Sequence, residues 1–486
     1  MRTVFIIILA LLFLPLSYSQ TPKFKKKYLN SISEQNLKTH VYVLASDSLK
    51  GRDTGTEGEH KAARYIVEQF QSNGLKPYND STYLQNIGLW NWYWGDFEFS
   101  IANNNIEPYN DLVYLSSTPI DDIISTECVF IGNGSDSIID KLKLKKKVAF
   151  ALVDNLQRWY RVASKVKQKG VEAIIFAHHS DSMAFSNISQ RLYASHQSTS
   201  VGIKQPVFAN TAIKAFAANQ NMTESFFGLP IDSLKQLNIA KQIRKLPTPK
   251  ISLKCPLIIE KAKAYNVASY IPGKGYTNEA VVITAHYDHI GERYDGICVG
   301  ADDNASGTAA VIELARAFAP LKGKLDRNLI FLTTSGEEKG LLGAFYFAGH
   351  PEEHQFDIKA NVNIDMIGRI DSTHKSKYIY TIGNNHYPEF DSLLHVANNM
   401  TEPLTIQYNY NKSQGFGNFL RLSDHYAFHR INIPVMGFFS GLHEDYHKPS
   451  DTPDKIDYSE MEQRVKLIFT TIYLASQRTA FNTEDD

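Results

Sequence analysis

The sequence predicts an α/β protein, with a mixed central sheet, helices on both faces, and a smaller β/α domain inserted into it. Strand-like and helix-like segments alternate from about residue 280 to the C-terminal region, the pattern of a sheet sandwiched between helices. Candidate metal ligands fall where strands end, which is where open α/β sheets place their sites. A length of 486 residues exceeds one core of about 100–200 residues, so two or three compact units are expected.

Taken in order, Arg2, the apolar run 4–16 and Ser17-Tyr18-Ser19 before Gln20 read as a signal peptide over residues 1–19. The run is short for a spanning helix. Export to the periplasm or the exterior is expected, with no stable membrane anchor after cleavage. Residues 30–105 are expected to open the catalytic domain. There Thr56-Glu57-Gly58-Glu59 fits a capping box, Ala62, Ala63, Ile66, Val67 and Phe70 recur at helical spacing, and Gly74 marks the end. Residues 106–250 change texture and form the expected insertion, with a strand near 147–154, a helix near 159–170 and a strand near 171–177. Residues 251–480 carry the rest. Strands are expected at 280–284, 328–334, 362–367, 378–382 and 434–439, and helices at 307–319, 341–347, 390–397 and 459–476.

Composition narrows the function. With 51 basic and 51 acidic residues the formal charge is zero, so no global field gathers nucleic acid or an anionic membrane. The basic runs at 25–27 and 141–147 lack interleaved aromatics and read as solvated surface. Three cysteines, Cys128, Cys255 and Cys298, allow at most one internal disulfide and no close thiolate pair for a metal.

The chemistry-bearing residues sit at strand ends. His286 closes the run Val281-Val-Ile-Thr-Ala, and Asp288 lies two residues on, on the same strand face, where it can support the imidazole. Asp302-Asp303-Asn304 leads into a helix, Glu337-Glu338 follows the strand ending at Thr334, Asp365 ends another strand, and His447 lies in a loop after Phe439. Imidazoles and carboxylates without thiolate suit catalytic zinc. Two divalent ions against Asp303, Glu338, Asp365 and one bridging hydroxide sum to zero charge, which limits the cost of burying the cluster. One carboxylate of the Glu337-Glu338 pair can ligate while its neighbour moves protons. Asp302, Asp295 and Asp357 read as solvated carboxylates, and His289, His350, His354 and His429 as ordinary packed or exposed histidines. His443-Glu-Asp-Tyr-His447 matches H-E-x-x-H, but Gly441, Pro449 and Pro453 leave too little room for the helix that motif requires.

These spaced motifs resemble the co-catalytic zinc aminopeptidases, peptidase family 28 of the metallopeptidases, which includes leucyl aminopeptidases and glutamate carboxypeptidase-like enzymes. The resemblance covers roughly residues 44–78 and 264–476. The segment between them resembles a protease-associated (PA) domain. The resemblance implies the zinc exopeptidase fold and two Zn2+ ions, one held by His286, Asp303 and Asp365 and the other by Asp303, Glu338 and His447, with Asp303 as the bridge. It implies Glu337 as general base, Asp288 as support for the first histidine, and Tyr446 as a stabiliser of the oxyanion. The implied activity is removal of N-terminal residues from peptides through a metal-bound hydroxide. The alternatives are a carboxypeptidase or dipeptidase on the same centre, a glutaminyl cyclase with one functional zinc, and a non-catalytic relative. The last typically loses ligands that this chain keeps.

Overall fold

A computed structural model describes residues 26–477 except 80, 103, 154–155, 179–181, 209–212, 294 and 412–417. The expected signal peptide lies outside the described residues. The chain divides into two compact units, Met1–Gln85 with Tyr265–Asp486, and Asn86–Ala264.

In the first unit the central strands run in the order Lys76–Pro77, Tyr265–Ile271, Arg327–Thr334, Tyr276–His286, Asp357–Ile364, Val435–Phe439, Tyr378–Ile382, Thr405–Gln407. Four of them are parallel neighbours: Tyr276–His286 pairs with Arg327–Thr334 and with Asp357–Ile364, which pairs with Val435–Phe439. Every residue of Arg327–Thr334 and Val435–Phe439 is buried. Parallel strands covered on both faces read as continuous apolar runs, which is why these were visible in the sequence. Their register aligns His286 with Thr334, Thr284 with Asn363 and Ile364 with Phe438. The C-terminal ends of all four strands therefore lie side by side.

Three buried polar side chains on these strands form a hydrogen-bonded chain. Asn361 donates to the Thr284 hydroxyl at 3.0 Å, and Thr284 donates to Asn363 Oδ1 at 2.7 Å. Helix Gly307–Phe318 is buried almost all round, and Phe318 stacks on Phe469 of helix Tyr458–Ala475 with ring centroids 4.1 Å apart. Helix Glu57–Ser72 starts at Thr56, whose hydroxyl accepts from Glu59 N, while the Glu59 carboxylate accepts from Gly55 N, one residue earlier than a capping box requires. Gly74 follows that helix with φ +69°.

The second unit holds strand Val148–Val153, helix Leu156–Gln168 and strand Ala173–His178, with parallel pairing from Ile120–Phe130 through Val148–Val153 and Ala173–His178 to Lys214–Ala218. It runs wider than residues 106–250. Glu98–Ile101 pairs with Lys250–Cys255, and Leu89–Trp94 pairs with Leu257–Ala262. All three cysteines are buried free thiols.

Candidate metal centre

The aligned strand ends deliver the ligands. His286 is the last residue of its strand, Asp365 follows the strand ending at Ile364, and Glu337-Glu338 follow the turn after Thr334. The irregular turn Ala301–Ser306 brings in Asp303. Asn304 ties this turn to the neighbouring strand end: its amide donates to Ile364 O at 2.9 Å, and its Oδ1 accepts from Gly307 N and Met366 N. Asp451 holds the turn from behind by accepting the N–H groups of Asp302 and Asp303 at 3.0–3.2 Å.

Asp303 faces two ways. Its Oδ1 lies 3.4 Å from His286 Nε2, which is also 3.4 Å from Asp365 Oδ1. Its Oδ2 lies 3.1 Å from His447 Nε2, which is 3.4 Å from Glu338 Oε2. Nitrogen and oxygen ligands at about 2.0–2.1 Å on a tetrahedral zinc stand about 3.4 Å apart. The donor set and its spacing therefore fit such an ion on each side of Asp303. Two groups, His286–Asp303–Asp365 and His289–Asp303–Glu338, have all their ligand atoms within 4.8 Å of one another.

The electrostatics also call for cations. Burial lowers the affinity of His286 for a proton, yet Glu337, Asp365 and Asp303 outweigh this and raise its pKa well above the usual value. Burial likewise opposes protonation of His447, but Asp303 and Glu338 push it up to about 10. The carboxylates that raise these imidazoles form a buried negative cluster whose charge a divalent ion would offset. Burial, reinforced by Glu338, Asp365 and Asp424 against His286, holds the Glu337 carboxyl well above its normal range.

Asp288 is fully buried. It accepts the Thr54 hydroxyl at 2.8 Å and the Glu337 N–H at 3.2 Å, so it fixes the backbone that carries the glutamate pair. Its carboxylate is 3.8 Å from His286 Nδ1, whereas its own carbonyl lies at 3.1 Å. The imidazole is thus oriented through the Asp288 carbonyl more closely than through the expected carboxylate. Tyr446 stacks on His447 with centroids 3.8 Å apart, and burial beside Asp303 and Glu338 keeps its phenol protonated. The segment 443–447 is turn and irregular backbone, not helix. His443 faces Asp302 at 3.3 Å, away from the H-E-x-x-H role.

One expectation is corrected. Asp302 is not a solvated carboxylate: it is fully buried, and its Oδ1 accepts from Gly368 N at 2.6 Å. His289 is packed rather than exposed, with Nδ1 2.8 Å from Glu338 Oε1, a neighbour that the sequence reading did not assign to it. Sequence reading also missed Arg52, whose buried guanidinium donates to the carbonyls of Tyr287, Val299 and Gly300 at 2.7, 2.7 and 3.0 Å. Nothing local marks these residues, because each acts on chain that is remote in sequence.

Next to Asp365 and Tyr446 lies a cavity of about 70 Å³ lined by Met366, Ile382, Phe419, Phe439 and Leu442, several times the space one water needs. Phe419, which lines this cavity, follows the segment 412–417, which lies outside the described residues.

Residues 266–472 match the model of peptidase family M28. Aminopeptidase YwaD of Bacillus subtilis (strain 168) is 27% identical over 208 residues, 41% of this chain and 42% of its own length. Leucine aminopeptidase 1 of Coccidioides posadasii (strain C735) is 26% identical over 227 residues, 43% of this chain and 55% of its own length. The chain thus spans about half the length of these curated relatives. Among solved structures, an aminopeptidase from Aneurinibacillus sp. strain AM-1 shares the fold with TM-score 0.53 at 19% identity, over 94% of this chain and 97% of that one. BSAP, a zinc aminopeptidase from Bacillus subtilis, does so with TM-score 0.51 at 19% identity, over 94% and 98%.

Proposed function

From the match of residues 266–472 to the model of peptidase family M28, we propose that the protein is an exported zinc exopeptidase of the aminopeptidase type. His286, Asp303 and Asp365 hold one zinc ion, and Asp303, Glu338 and His447 hold a second. The observation that carries this reading is the two-way carboxylate of Asp303, with one oxygen against His286 and the other against His447.

Bound zinc acidifies water and polarises a carbonyl oxygen. The chain's own residues do the rest. Glu337, anchored through its N–H to Asp288 and raised in pKa by burial, takes a proton from the attacking water and returns it to the leaving amine. Tyr446 keeps its proton and donates a hydrogen bond to the developing oxyanion. The apolar cavity beside Asp365 receives the first side chain of the peptide. The second unit is assigned as a PA-type insertion on its strand, helix, strand order.

Glu337→Gln tests the proton role. Hydrolysis falls by about 10²–10⁴-fold or more while metal content by mass spectrometry stays at the wild-type value. Loss of metal in this variant makes Glu337 a ligand and removes it as the base.

A further inference from the structure

We propose that His289 is a positioning residue for the metal centre: its Nδ1–H holds Oε1 of Glu338, so that Oε2 is turned to the subsite shared with Asp303 and His447. The inference rests on the metal reading above. The two atoms are 2.8 Å apart. His289 is fully buried, and among the described residues neither its ring nitrogens nor Glu338 Oε1 has another hydrogen-bond partner. At this distance each is placed to satisfy the other, and a buried polar atom left alone is costly.

The ring is set in a built slot. Gly300 has φ +55°, and a Cβ there would come within 2.5–2.6 Å of the His289 ring, so only glycine leaves room for the imidazole. The His289 N–H donates to Arg52 O at 3.2 Å, and the Arg52 guanidinium grips the carbonyls of Tyr287, Val299 and Gly300. One buried cation thus fixes both the strand end that carries His289 and the wall against which its ring lies.

The proton balance distinguishes positioning from ligation. With the proton on Nδ1, Glu338 gains a donor and Nε2 is left as an empty acceptor, the cheaper deficiency. Ligation through Nδ1 would move the proton to Nε2, which has no acceptor among the described residues. Nδ1 is also 3.7 Å from Asp303 Oδ2, whereas His447 reaches both carboxylates within 3.4 Å. Glu338 therefore presents one oxygen to each imidazole, with His447 on the metal side and His289 behind.

The test is calorimetric titration of chelator-stripped protein with Zn2+, repeated with Co2+ so that the ligand-field spectrum reports geometry. Wild type, His289→Phe and His289→Gln are compared, and circular dichroism establishes that each variant is folded. Wild type takes two ions. His289→Phe still takes two at saturation, with the second weakened about 10–100-fold and its Co2+ spectrum altered. His289→Gln keeps an N–H donor and recovers most of the affinity. Wild-type affinity for both ions in His289→Phe overturns the proposal in favour of packing alone. Saturation at one ion overturns it in favour of ligation. A wild-type protein that binds no Zn2+ overturns the metal reading itself, which is a separate failure.

Discussion

Arg52 shows how a single side chain can hold a site it never touches. It is fully buried, forms no ion pair among the described residues, and spends its donors on the carbonyls of Leu44, Tyr287, Val299 and Gly300. Burial lowers its pKa only to about 10, so it stays charged at neutral pH. Arg52→Met removes a charge-assisted donor set from four buried acceptors, and the expected loss is more than about 3 kcal/mol in urea unfolding. A loss below about 1 kcal/mol would mean that the loops stand without it. At this scale the sequence was legible where a residue type and a strand end coincided, as for His286, Asp303, Glu338 and Asp365. It was not legible for Arg52, His289 or Asp302. The Asp302 N–H meets the Asp451 carboxylate 149 residues away, and no local pattern encodes that distance.

Elements were legible to the extent that burial is periodic. The parallel strands Arg327–Thr334 and Val435–Phe439 are buried along their whole length, and helix Tyr458–Ala475 lies within one residue of the expected 459–476. The strand expected at 362–367 runs instead from Asp357 to Ile364. Its first residues alternate in exposure, which hides its start, and Asp365 and Met366 already belong to the loop that carries the ligand. His40 in helix Glu34–Leu44 has its Nδ1 2.7 Å from the hydroxyl of Tyr65 in helix Glu57–Ser72. Burial lowers the His40 pKa to about 4, against Glu313, which raises it. The unfolded chain then takes up the proton first as the solution is acidified. The stability contributed by neutral His40 is complete above about pH 6.5 and is lost between there and pH 4, up to about 3 kcal/mol. His196 and His425 shift in the same direction. In melting curves from pH 7 to 4.5, His40→Gln should flatten the acid loss without abolishing it. An unchanged slope contradicts the assignment.

For the whole molecule, each unit has a core of its own, one around Val281, Ile283 and Phe331 and another around Phe150, Ile175 and Phe216. Among the described residues, only the first carries groups of side chains that could hold a metal ion. Chelation should therefore lower one calorimetric transition by several degrees and leave the other in place, as expected when a ligand binds one folded state. Equal shifts in both would refute that independence. The central claim is that this centre removes residues from free peptide N-termini. It is tested most directly on metal-quantified protein with matched peptides that are N-terminally free, N-terminally blocked and C-terminally blocked. The account predicts stepwise release of the first residue from the free and the C-blocked peptides and none from the N-blocked peptide. Cleavage of the N-blocked peptide would contradict it.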